Sequence, residues 1–231
     1  MQAHQMKSVR PLKARGVLLA IVAMFAISAV AAASASAAPE FKPVPTKKKF
    51  TASAEKVFLE TPGVEQIVEC AKGSITGEVT GARTVGNAIV TLTGCSAYRS
   101  GAKCAFNSKG AKSGEIVTKP LTGELGTVAK AQAASGVGLR LGSEDAVWYT
   151  QEGTCVVKAA VEGSLAGEVG APESKSVNHE LAFALNEKDQ QKIKEITLDS
   201  GTLEEPYFAW GAATQVVRAA YKLTFEEAVA I

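Results

Sequence analysis

Histidine is nearly missing from this chain: there are two among 231 residues, and His4 precedes a long apolar run, which leaves His179 alone in the remainder. A histidine-based metal cluster, or a Ser-His-Asp or Cys-His arrangement, would have to be assembled around that one side chain without any local signature. A lone histidine opening a strand reads as a surface residue. Aspartate is almost as scarce, with only Asp145, Asp189 and Asp199, and no acidic loop of alternating ligands of the kind that holds calcium. Aromatic residues make up 6% of the chain. No amphipathic stretch of helical length stands out; NEKDQQKIKEI at 186–196 is the nearest, and it fits a strand leading into the Asp-Ser-Gly turn equally well.

The four cysteines, Cys70, Cys95, Cys104 and Cys155, form no CxxC pair and have no histidine partners, so they read as disulfides of an oxidising compartment and not as metal ligands. Three pairings are open. CSAYRSGAKC has the polar, glycine-bearing interior of a hairpin loop and favours Cys95 with Cys104, leaving Cys70 to join Cys155.

The first 37 residues have the layout of a secretory signal: Lys7, Arg10, Lys13 and Arg15, an apolar run from Gly16 to about Ala33, then small residues ending in Ala35-Ser36-Ala37. An uncleaved anchor is the alternative; cleavage leaves no membrane segment. Export would remove four of the 25 basic residues and none of the 23 acidic ones, leaving 21 against 23, a net charge of about −2. A body so close to neutral carries no footprint for a polyanion, and nucleic acid is excluded as a partner. Residues 38–49 follow as a Pro/Lys-rich linker or edge segment, since the prolines of PEFKPVP prevent a helix. Lys47, Lys48 and Lys49 are a solvated edge, or a contact for an anionic wall polymer.

From residue 50 to 231 the chain shows strand-length runs separated by glycine-rich breaks, which predicts an all-β domain: an antiparallel β-sandwich or flattened barrel, with 50–150 and 151–231 as candidate halves. In VVRAAYKLTF, Val217, Ala219, Tyr221, Leu223 and Phe225 share one face. GSITGEV at 73–79 returns as GSLAGEV at 163–169, each followed by an asparagine and a further strand, which suggests a pseudo-repeat.

The same step recurs as SGEI and TGEL, so Glu78, Glu115, Glu124 and Glu168 each lie between a glycine and an aliphatic residue. Two of them converging in a groove could act as acid and base, or acid and nucleophile, on a polysaccharide. Strand parity points the other way at three of them, with Gly77, Gly123 and Gly167 on the apolar face and Glu78, Glu124 and Glu168 facing water. The aromatics offer the other candidate site: Trp148, Tyr149, Tyr207 and Trp210 are core residues or a stacking platform for sugars.

Read together, SITGEVTGARTVGNAIVTLTGC, the GAKC after it, GEIVTKPLTGELG and GSLAGEV resemble a group of secreted bacterial proteins of high-GC Gram-positive lineages, over roughly Phe50 to Val169. The resemblance implies export and a β-rich body; it brings no activity, cofactor or catalytic residue. The expectation is an exported, non-catalytic binding or structural module of the cell envelope or extracellular space. Its partner would be a cell-wall polymer or another secreted protein, and it would carry no cofactor and no metal. The alternative is a secreted hydrolase that uses paired glutamates.

Overall fold

A computed structural model describes residues 38–44, 47–62, 66–99, 101–129, 135–154 and 158–231, without the side chains of Ser135 and Glu144. The leader-like segment 1–37, and Cys155, lie outside the described residues. Ala38–Ile231 forms one compact unit.

The described residues contain strands and turns and no α-helix. In chain order the strands are β1 (Lys49–Ala54), β2 (Val57–Thr61), β3 (Gln66–Cys70), β4 (Lys72–Val79), β5 (Thr84–Thr93), β6 (Ser96–Arg99), β7 (Ala102–Cys104), β8 (Phe106–Ser108) and β9 (Glu115–Val117). They continue as β10 (Leu121–Ala129), β11 (Ser135–Gly153), β12 (Ala159–Gly170), β13 (Ser176–Phe183), β14 (Ile196–Thr197), β15 (Leu203–Glu204), β16 (Phe208–Trp210), β17 (Ala213–Thr214) and β18 (Val216–Val229).

Eight of these strands close into a ring. β1 pairs with β4, β4 with β5, β5 with β10, β10 with β11, β11 with β12, β12 with β13, β13 with β18, and β18 with β1, every pair antiparallel. The fold is therefore an eight-stranded closed barrel, the flattened-barrel form of the expected all-β class. Eight strands leave an interior about wide enough for side chains to fill, or for one small ligand. The alternation in the sequence supplies that filling: along β18, Val217, Ala219, Tyr221, Leu223 and Phe225 are all buried inside.

We call the end where β1 finishes and β4 begins the upper end. There the wall strands run on past the eight-strand ring and exchange one neighbour for a short strand. β5 passes from β10 to β9, β11 from β10 to β8, β12 from β13 to β16, and β18 from β1 to β2. The run KFTASAEKVFLE shows how the exchange works. Ser53 faces Lys222 and Val57 faces Ala219, so four steps along one strand answer three along the other. The extra residue is a bulge, and it bends the chain away from β4 to take β3 as its new neighbour.

The lower end is closed by the segment expected as a linker or edge segment. Phe41 is buried, its N–H donates to Ala82 O (2.8 Å), and its ring meets Phe225 edge-on at 5.7 Å. Lys42 and Ala230 exchange two backbone hydrogen bonds of 2.8 and 2.9 Å beside it. His179, expected at the surface, is also inside: β13 is displaced by a register shift between Ser176 and Asn178, and its ring Nε2 lies 2.9 Å from Val229 O.

The disulfide pairing differs from the expectation. Cys70 is bonded to Cys95, and Cys104 is also disulfide-bonded. Register gives the reason. In the β6–β7 hairpin Ala97 faces Cys104, which leaves Cys95 two residues beyond it, whereas Glu69 facing Ser96 brings the next residues outward, Cys70 and Cys95, side by side.

The two GE repeats occupy opposite walls. Around the ring β4 is second and β12 sixth, and the following strands β5 and β13 are third and seventh, so each repeat strand stands across the barrel from its counterpart. Their inner glycines make room for rings. A Cβ on Gly77 would come within 2.6 Å of Phe50 Cζ, and one on Gly167 within 2.8 Å of Phe183 Cε1 and of Leu181 Cδ1. Gly77→Ala and Gly167→Ala are each expected to destabilise the protein by about 1–3 kcal/mol through overpacking. Urea unfolding measures this, and an unchanged midpoint for both would contradict the packing described.

Candidate functional site

The glutamates do not gather. Glu78 accepts a hydrogen bond from Asn87 Nδ2 (2.6 Å), Glu168 pairs with Lys192 (3.2 Å), and Glu115 Oε2 accepts from the Lys112 N–H (3.3 Å) at the turn into β9. Glu78, Glu124 and Glu168 point outward from β4, β10 and β12, while their neighbours Val79, Leu125 and Val169 are buried. Glu78 faces Gly86 and Glu124 faces Thr84; on the other side Glu124 faces Arg140 and Glu168 faces Gly138. Each successive pair is two strands and two residues apart, roughly 12 Å at Cα, on a wall that curves away. Among the described residues no group of three or more His, Cys, Asp or Glu side chains could hold a metal ion.

Three of the four aromatic candidates do come together, inside the barrel. Trp148, Tyr149 and Trp210 are buried, while Tyr207 is exposed at 51%, so they form no common outer platform. Two consecutive aromatics can both be buried because β11 is irregular here: its register on β12 shifts between Gly142 and Val147 and again between Val147 and Tyr149. Asp145 pins the first irregularity. Its carboxylate accepts from the Ser143 hydroxyl (2.6 Å) and the Val147 N–H (3.3 Å) and forms an ion pair with Lys119. On the facing strand Gly163 adopts φ +104°, and a Cβ there would sit 1.8 Å from Tyr207 O, so only glycine fits. Its carbonyl accepts the Trp148 Nε1–H at 2.9 Å.

Trp148 and Tyr149 line a small cavity of about 40 Å³, together with Val57, Leu59, Phe208 and Tyr221. That is far below the several hundred Å³ of a drug-sized site and suits a compact body of a few carbon atoms. The lining is apolar apart from a few groups. Thr118 Oγ1 is used by the Val90 N–H (3.0 Å), but the Tyr149 hydroxyl is buried without a partner. Burial pushes the Tyr149 and Tyr221 phenols above their ordinary pKa, so both stay neutral donors.

Above the cavity the inner face changes character. Val68, Leu59 and Val217 form one apolar row across β3, β2 and β18. One inner position higher, Gln66 faces Thr61, and Gln215 continues that row, because Val216 faces Glu60. All three are buried, and Thr61 Oγ1 and the Oε1 and Nε2 atoms of both glutamines have no hydrogen-bond partner; nor has Nε1 of Trp210, two residues along β16 from Phe208, whose carbonyl accepts the Gln215 N–H at 2.8 Å. An unpartnered buried polar group costs about 1–3 kcal/mol, so such a row needs a reason. Sequence reading passed over Gln66, Thr61 and Gln215. The signal was available: each sits on the apolar parity of its own strand.

No family model, curated protein or solved structure matches the chain.

Lys119, and next Ser143, hold the Asp145 carboxyl down at about 2 by hydrogen bonding to its ionised form. Because its folded pKa lies below the unfolded one, its stabilising contribution is present above the unfolded value and is lost as pH falls through about 2. A ¹³C carboxyl titration should give that low midpoint in the native protein and a return toward the ordinary carboxylate range in Lys119→Met. An ordinary midpoint in both would contradict the geometry of the bulge.

Proposed function

We propose that the protein is an exported, non-catalytic binding module of the cell envelope or extracellular space, and that it takes a small ligand into the upper part of the barrel. One observation carries the reading: an apolar, aromatic-lined cavity inside a closed barrel, with the buried Tyr149 hydroxyl left without a partner beside it. Small-ligand sites are mostly apolar with a few placed polar groups, and this interior has that composition. Export is supported by the basic, apolar and small-residue order of residues 1–37 and by the bonded Cys70, Cys95 and Cys104.

Paired-carboxylate hydrolysis gains no support from the glutamates. They lie on an outward-curving wall with polar neighbours, whereas a general acid needs a carboxyl in an apolar pocket that keeps it protonated.

Isobutanol, with a small apolar body and one hydroxyl, tests the reading in ¹³C-methyl NMR. Saturable shifts confined to cavity methyls such as those of Leu59, Val90 and Val217 are expected, and Val90→Phe, which fills the space, should abolish them. A linear, unsaturable response across the whole spectrum would overturn it.

A further inference from the structure

Three observations at the upper mouth belong together. The row Gln66, Thr61, Gln215 faces inward from three adjacent strands, at 1%, 2% and 2% exposure. Its five side-chain oxygen and nitrogen atoms are all without partners. It lies one inner position beyond Leu59 and Val217, which line the cavity. A buried carboxamide needs an acceptor for its N–H groups and a donor for its carbonyl oxygen. Two of them flanking a hydroxyl present donors and acceptors to the same space.

Charge can be excluded from the occupant on the same grounds. The inward-facing neighbours are Val68, Leu59, Val217, Phe208 and Trp210. Glu60 and Arg218 on these strands point outward, where they pair with each other at 2.8 Å and Arg218 covers the Phe58 ring, and the charge that stands opposite the row, Arg99 facing Gln66 from β6, is cationic and exposed. A cation placed on the row would be stripped of water beside the like charge of Arg99, and an anion would bring no donor for the two carboxamide oxygens.

We propose that Gln66, Thr61 and Gln215, with Trp210 Nε1 beside them, form the polar half of the ligand site. Its ligand is an uncharged small molecule carrying a hydrogen-bond donor and acceptor side by side, an amide being the simplest such group, on a compact apolar body that enters the cavity below. This rests on the cavity reading above and adds the class of head group. The unpartnered row is the binding surface of the free protein, kept polar for a ligand that the resting fold does not itself provide.

The test uses the chain from Ala38 onward and three probes sharing one apolar body: N-isobutylacetamide, isobutanol and isobutylammonium. In ¹⁵N–¹H spectra the side-chain amide signals of Gln66 and Gln215 should shift saturably with the amide. They should not respond to the ammonium, and the amide should bind at least about tenfold tighter than the alcohol, the worth of one or two added hydrogen bonds. Gln215→Met and Gln66→Met should each lose that tenfold advantage while melting no lower than the native protein, since each removes an unpartnered group. A structural role predicts the opposite, a lower melting temperature with probe affinities unchanged. Isobutanol and amide binding equally well would overturn the head-group assignment and leave the cavity reading standing. Binding of neither would remove both, and carboxamide signals showing only long-lived water would assign the row to buried solvent.

Discussion

The pairing of β1 with β18 is the contact on which the rest of the structure depends. Phe50 faces Phe225, Thr51 faces Thr224, Ala52 faces Leu223 and Ser53 faces Lys222, and with that ladder the sheet loses its edges. Closing the ring fixes the interior volume. A side chain too large for its place can no longer be accommodated by opening the sheet, so large residues must be matched by missing ones. That is why Phe50 and Phe183 lie against Gly77 and Gly167, and why the GE motif is chiefly a statement about its glycine.

Closure also explains where a ligand could go. At the lower end Phe41, Phe50, Phe225 and His179 fill the ring, and Lys42 and Ala230 exchange backbone hydrogen bonds beside them. At the upper end the wall strands exchange neighbours, and aromatic packing leaves a cavity there. The polar row of Gln66, Thr61 and Gln215 lies above it. Filling tight below and incomplete above gives the barrel a direction, and the functional reading follows from that asymmetry.

Much of this was legible in the sequence. Alternation along VVRAAYKLTF placed five inner residues correctly, and parity put Glu78, Glu124 and Glu168 outside. What could not be read was non-local. The Cys70–Cys95 bond depends on β3 lying beside β6, which no local spacing reveals. Whether Phe41 belonged to a linker or to an edge segment stayed open because its role comes from distant positions in the chain, at Phe225 and Ala230. Regular strand alternation would put the consecutive Trp148 and Tyr149 on opposite faces, and only the irregular register held by Asp145 and Gly163 buries both. The glutamine row was visible as polar residues on an apolar parity, but its coherence across three strands required the register.

Amide hydrogen exchange along β1 tests ring closure most directly. With β4 on one side and β18 on the other, every amide from Phe50 to Ser53 has a partner strand, so all four should exchange only through global unfolding, as slowly as the core of β4. Fast exchange at alternate residues would mean that β1 is an open edge and that the barrel does not close.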